Sequence, residues 1–151
     1  MTGLGAHTQL EHGLRRAALD AVHPGSPHLG VDVVDVAQLS RQLDTAGERL
    51  LRRLFTRGEQ TLCAQDVDRL ATTLAGKEAV AKALGTGLRS GVRWTDIEIV
   101  REPAGRPVVT LHGAARERAA SLAIDDIAIS LCHEGPYAVA VASAVAGEVS
   151  S

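Results

Sequence analysis

The stretch Leu74-Ala75-Gly76-Lys77-Glu78-Ala79-Val80-Ala81-Lys82-Ala83-Leu84-Gly85-Thr86-Gly87 constrains this chain more than any other, because it sets charges where a purely structural helix would put apolar residues. Laid on a helix of about 3.6 residues per turn, Leu70, Leu74, Ala81 and Leu84 form one stripe. Lys77 falls inside that stripe. Glu78 lies at its edge with Lys82 one turn further on, so a carboxylate and an ammonium share a face that also touches the core. Gly85 and Gly87 then supply the backbone freedom of a helix C-cap and bare amides that a ligand can approach closely. The plainest structural reading is a Glu78–Lys82 surface pair with Lys77 snorkelling towards solvent. The functional reading is a charged face offered to a bound group.

The elements around this helix follow from local signals. Gly30-Val31-Asp32-Val33-Val34-Asp35-Val36 reads as a first strand rich in β-branched residues. Asp32 sits inside it, and an ionised carboxylate in an apolar strand is expensive unless a cation or donors meet it. Asp35 is placed to cap the following helix. Residues 37–55 suit two short helices broken near Gly47. Thr56-Arg57-Gly58-Glu59 has the capping-box form and opens a segment towards Cys63. Asp66 is placed to cap the long central helix, which ends at Leu84. Ile97-Glu98-Ile99-Val100 and Val108-Val109-Thr110-Leu111 read as a hairpin turning through Pro103-Ala104-Gly105-Arg106-Pro107. Residues 114–122 read as a short helix. Ile127-Ala128-Ile129-Ser130-Leu131-Cys132-His133 and Tyr137-Ala138-Val139-Ala140-Val141-Ala142 form a second hairpin through Glu134-Gly135-Pro136. With antiparallel hairpins dominating, the fold class is α+β, an antiparallel sheet with the long helix packed on it.

The 151 residues suit one domain. Residues 1–29 read as an N-terminal extension, either one short helix docked on the body or a tail, residues 30–146 as the domain, and 147–151 as a C-terminal tail. Leu10, Leu14 and Ala18 recur at helical spacing in the extension, and Pro24, Gly25 and Pro27 end that segment. His7, His12, His23 and His28 are scattered through it without the spacing of a metal site. A formal net charge of -2 argues against a nucleic-acid partner. Phe55, Trp94 and Tyr137 are the only aromatic residues, too few for a base-stacking surface. Cys63 and Cys132 lack metal-type spacing and read as reduced thiols of a cytoplasmic protein. No apolar run is long enough to span a membrane.

The charged positions suggest chemistry once they are set together. Asp32 on a strand and Glu78 on a helix are two carboxylates that packing could bring to one point, with Lys82 a turn from Glu78 and His133 ending a strand. Two carboxylates, waters and phosphate oxygens are what Mg²⁺ prefers, and a nearby lysine suits phosphate. The combination points to metal-assisted attack at a phosphate or pyrophosphate, with a carboxylate or His133 as base.

Gly30-Val31-Asp32-Val33-Val34-Asp35, the Lys77 to Gly87 block, Gly105-Arg106-Pro107 and Ser130-Leu131-Cys132-His133-Glu134 occur in an order and spacing that resembles the holo-acyl-carrier-protein synthase family of 4'-phosphopantetheinyl transferases. The resemblance runs from about Leu29 to Val145. It implies transfer of 4'-phosphopantetheine from coenzyme A to a serine of an apo acyl carrier protein of fatty acid or polyketide synthesis, releasing adenosine 3',5'-bisphosphate. It further implies Mg²⁺ held by Asp32 and Glu78, with Glu78 also the candidate base. Lys82 would lie on the pyrophosphate, Gly85, Thr86, Gly87 and the Gly105-Arg106-Pro107 turn would line the nucleotide cleft, and His133 would lie near the coenzyme. Small members of the family are typically homotrimers with the cleft between protomers.

Three positions depart from the family pattern. Thr73 stands where an arginine is usual four residues before Lys77, Gln38 stands where a carrier-contacting arginine is common, and Cys132 replaces a usual serine. Arg69 or Arg41 are the candidates to compensate. Thr73 and Gln38 leave open a relative that binds a carrier protein or nucleotide without transfer, or one that acts on carrier-bound acyl chains. Arg41, Arg49, Arg52, Arg53 and Arg57 give the segment after the first strand a basic excess, either a solvated face or a docking surface for an acidic carrier.

Overall fold

The computed structural model describes residues 28–87 and 91–147. Strand β1 (His28–Asp35) stops where the Asp35 carboxylate accepts a hydrogen bond from the Gln38 amide at 3.0 Å and so caps helix α1 (Val36–Leu54). Helix α1 breaks at Gly47, whose φ of 57° and ψ of -140° suit glycine alone. Thr56 and Glu59 then close the expected capping box on helix α2 (Arg57–Cys63). Asp66 caps helix α3 (Val67–Ala83) by accepting from the amides of Asp68 and Arg69, and Leu84 ends it.

A short 3-10 turn (Trp94–Asp96) leads into the hairpin of β2 (Ile97–Arg101) and β3 (Pro107–Leu111). Helix α4 (Gly113–Ser121) and the long hairpin of β4 (Ile124–Glu134) and β5 (Tyr137–Ala146) complete the described chain. Strand β1 pairs antiparallel with β5, giving a three-stranded sheet in the order β1-β5-β4 beside the separate β2-β3 pair. The α+β architecture with a long helix on an antiparallel sheet is as read from the sequence. The helix read over residues 8–22, with His7, His12 and His23, lies outside the described residues.

Side chains along β1 and β5 alternate between the two faces of the sheet, and that alternation puts Asp32 against α3. Gly30, Asp32 and Val34 of β1 stand opposite Ala142, Ala140 and Ala138 of β5, so all six share one face. Ile127, Ile129, Leu131 and His133 of β4 join the same face through their register with β5. Ala138, Ala140, Ala142 and Ala144 are almost wholly buried there, and α3 meets them with Ala75, Ala79 and Ala83. Small residues on both sides let the helix approach the sheet closely. Gly30 shows how closely: a Cβ there would overlap the Ala79 carbonyl oxygen. The opposite face carries Leu29, Val31, Val33, Val139, Val141 and Val145, of which Val141 and Val145 are exposed. Among the described residues no helix is long and apolar enough to cross a membrane.

Candidate functional site

Asp32 is 3% exposed, yet it is not left without a cation. Its Oδ1 accepts from Lys82 Nζ at 2.6 Å, and the same ammonium donates to the Val31 carbonyl at 3.0 Å. Lys82 is therefore the partner of a strand carboxylate, a contact that simple helix spacing does not suggest. The other oxygen of Asp32, Oδ2, is buried with no hydrogen-bond partner. An orphaned carboxylate oxygen costs about 1–3 kcal/mol or more, so this atom marks a place where a ligand would be stabilising. Glu78 lies one turn before Lys82 on the same face of α3. It lines a cleft of about 700 Å³ with Gln38, Arg41, Leu50, Leu54, Leu74 and Trp94.

The loop after α3 completes this end of the helix. Gly85 and Gly87 both have positive φ, 73° and 54°, and the Thr86 hydroxyl between them is buried without a partner. Arg118, on α4, donates Nε to the Leu84 carbonyl at 3.0 Å and so holds the last turn of α3. No local pattern in the sequence marks Arg118 for this, because its partner is 34 residues away.

His133 and the Gly105-Arg106-Pro107 turn are elsewhere. His133 Nε2 lies 3.3 Å from Asp68 Oδ1 in the first turn of α3. Fourteen residues of helix separate Asp68 from Lys82, about 21 Å along the axis. Arg106 pairs with Glu102 through Nε and a terminal nitrogen at 3.1 and 3.2 Å. Arg101, the register partner of Pro107, lines a depression with Arg69 and Thr73 of the first half of α3. Within one chain, then, Asp32, Glu78, Lys82 and the glycine loop gather towards one end of α3, while His133 and the hairpin turn belong to the other.

Lys77 does not snorkel. It is 0% exposed and pairs at 2.5 Å with Glu59, itself 1% exposed. Burial pushes the Lys77 ammonium below the usual lysine pKa, with Glu59 acting in the opposite direction. Glu59 reads in the sequence only as a helix cap. The signal for its second role was Lys77 inside an apolar stripe, since a buried cation demands an anion. Thr73 is buried and shares a 3.5 Å contact with Cys63, whose thiol pKa burial raises. Both cysteines are free.

Carboxylates such as those of Asp32 and Glu78 are the donors that a hard cation prefers. Among the described residues no group of three or more His, Cys, Asp or Glu could hold a metal ion. A site supplying two carboxylates and leaving the remaining positions to water and phosphate suits Mg²⁺, and the unpartnered Asp32 Oδ2 is the atom that such an ion would satisfy.

Comparison with known proteins decides the family. Residues 28–142 match the model of the 4'-phosphopantetheinyl transferase superfamily. The chain belongs to this superfamily. The holo-[acyl-carrier-protein] synthase of Koribacter versatilis is 41% identical over 114 residues, covering 74% of this chain and 91% of the relative. That of Desulforudis audaxviator is 46% identical over 120 residues, covering 78% and 91%. The crystal structure of Helicobacter pylori holo-[acyl-carrier-protein] synthase in complex with coenzyme A superposes with a TM-score of 0.71 at 28% identity, covering 77% of this chain and 98% of that one. This chain thus shares both sequence and fold with holo-[acyl-carrier-protein] synthases of the superfamily.

Proposed function

We propose that this transferase moves 4'-phosphopantetheine from coenzyme A to a serine of an apo acyl carrier protein and releases adenosine 3',5'-bisphosphate. The observation that carries the reading is Asp32: a buried strand carboxylate with one oxygen on Lys82 and the other without a partner. The Helicobacter pylori relative, crystallised with coenzyme A, supports the donor.

The chemistry follows from the residues. Asp32 and Glu78 would hold Mg²⁺, which when bound offsets the negative charge of the pyrophosphate. Lys82 adds a fixed positive charge beside it. The bare amides and hydroxyl of Gly85, Thr86 and Gly87 are set to meet the nucleotide. The serine oxygen bonds to the phosphorus bearing the pantetheine arm, and that phosphorus loses its bond to the bridging oxygen. Adenosine 3',5'-bisphosphate leaves with the electron pair. The serine proton passes to Glu78, whose cleft opens beside α1. Catalysis of this kind is mostly positioning and charge neutralisation.

The carrier docks over that cleft. Leu50, Leu54, Leu74 and Trp94 give it an apolar floor, and Arg41 brings a cation suited to an acidic carrier protein to its lining. A homotrimer supplies what one chain lacks: His133 and the Gly105-Arg106-Pro107 turn of a neighbouring copy meet the Lys82 end of α3. The exposed Val141 and Val145 on the outer sheet face support such an assembly. The free thiols fit a cytoplasmic setting.

Thr73 favours a second reading, a relative that binds without transferring, because it turns into the core towards Cys63 and offers no cation. Against that reading, Arg69 and Arg101 line the same depression and bring two guanidinium groups to it.

The test is incubation of apo carrier protein, coenzyme A, Mg²⁺ and the protein, read by mass spectrometry for the added arm. Absence of the arm, under conditions where a known relative works, refutes transfer; coenzyme A binding by calorimetry without turnover establishes the second reading. Arg118→Ala should lower unfolding free energy by about 1 kcal/mol, since it uncaps the Leu84 carbonyl. It should also raise the KM for coenzyme A several-fold with kcat nearly unchanged, because it loosens the glycine loop and leaves Asp32 and Glu78 in place.

A further inference from the structure

Among the described residues, Lys77 and Glu59 form an ion pair whose two side chains are both fully shut off from solvent. Each oxygen of the carboxylate is pinned by a backbone amide. Ile99 N donates to Oε1 at 2.8 Å, and Thr56 N donates to Oε2 at 2.8 Å beside Lys77 Nζ at 2.5 Å. The ammonium also stands 5.6 Å from the centroid of the Phe55 ring. The anion therefore cannot rotate or withdraw: the start of α2 and strand β2 hold it as a fixed post, and α3 sends one long side chain to it.

Stability alone does not account for such a pair. Desolvating two charges offsets much of their attraction, and apolar residues of similar volume commonly serve a core equally well. What the pair adds is direction. Besides Leu70, Thr73, Leu74 and Val80, α3 buries small residues, Ala71, Ala75, Gly76, Ala79, Ala81 and Ala83, which pack closely but add little direction to what Lys82 gains from Asp32. Hydrophobic burial is non-directional, whereas a pinned carboxylate accepts the ammonium in one place only. Glu78 is the next residue along.

We propose that Glu59 and Lys77 are positioning residues that set the rotation and axial placement of α3 and so aim Glu78 into its cleft. The role rests on the transferase reading of that cleft.

The test compares the neutral double variant Glu59→Gln/Lys77→Met with Ile124→Val, a core truncation on β4 remote from the pair. Two readouts are taken well below each Tm. The first is transfer kinetics: the double variant should lose on the order of tenfold in kcat with the KM for coenzyme A within about threefold, and Ile124→Val should keep kcat within twofold. The second needs no turnover. Trp94, the only tryptophan of the chain, lines the cleft with Glu78, so its emission reports the setting of α3. The double variant should shift that emission to the red and raise acrylamide quenching about twofold relative to wild type, an opening of the cleft lining that Ile124→Val should not reproduce.

A folded double variant with wild-type kcat and unchanged Trp94 emission overturns the proposal, as does an equal loss in Ile124→Val. If the wild type itself fails to transfer, the reading of function falls, and the Trp94 comparison still decides whether the pair sets the helix. Should the double variant not fold, Lys77→Met alone keeps the Glu59 capping box and is judged by the same two measurements.

Discussion

Asp32→Ala should lower the rate of phosphopantetheine transfer on the order of a hundredfold or more while moving Tm by only a few degrees. The two halves of this expectation come from different atoms. Oδ2 is buried without a partner, so removing it relieves a desolvation cost. Oδ1 is lost to Lys82, but that side chain is 31% exposed and its ammonium keeps the Val31 carbonyl, so water completes its shell. Stability is therefore nearly balanced. Activity is not, because in the proposed function the site loses one of the two carboxylates that would hold Mg²⁺. Asp32→Asn should behave alike in rate, since it keeps the shape and removes the charge. Lys82→Gln should differ in kind: it strands a buried anion, so it should lower Tm as well as rate. The check is initial rate against Mg²⁺ concentration, with Tm measured on the same preparations. An Asp32→Ala protein of full rate removes the site assignment even if the transfer is real.

The contrast between Asp32 and Glu59 shows what a sequence discloses and what it withholds. The side-chain caps that open α1, α2 and α3 across three residues were legible: Asp35 to Gln38, Thr56 to Glu59, Asp66 to Arg69. The break at Gly47 was legible for the same reason, since only the local backbone decides it. Both hairpins followed from alternation and turn residues, although β4 and β5 run further than the apolar runs suggested. The pairing of β1 with β5, which carries Asp32 to α3, has no local signature. Nor do the long-range ion pairs, Lys77 to Glu59 across 18 residues and Lys82 to Asp32 across 50. Periodicity set Lys77 inside the apolar stripe and Lys82 a turn beyond Glu78, but an anion's identity depends on packing. For His133 the reading as a site residue takes it to the coenzyme, whereas in the chain its Nε2 lies 3.3 Å from Asp68 Oδ1; in the proposed function a second copy supplies that role.

Gly30→Ala is expected to cost at least about 3 kcal/mol of unfolding free energy and to leave little folded protein at 37 °C. Overpacking a core typically costs about 1–3 kcal/mol when side chains can shift aside. Here they cannot, because the added Cβ would overlap the Ala79 carbonyl oxygen and stand 2.8 Å from the Ala79 carbonyl carbon and the Ala83 nitrogen, all backbone. The helix would have to lift off β1, and that motion also pulls Lys82 from Asp32 and the Val31 carbonyl. Gly76→Ala is the matched control on the same helix. Its Cβ would meet only side-chain tips, Leu131 Cδ2 at 2.9 Å and Ile129 Cδ1 at 3.0 Å, which can turn away. The helix-propensity gain of about 1 kcal/mol offsets that adjustment, so the variant should stay within about 1 kcal/mol of wild type. Urea unfolding of both variants checks the difference. Equal losses would mean that the β1–α3 approach is looser than Gly30 implies, and that the strand could carry a side chain there without moving Asp32 from Lys82.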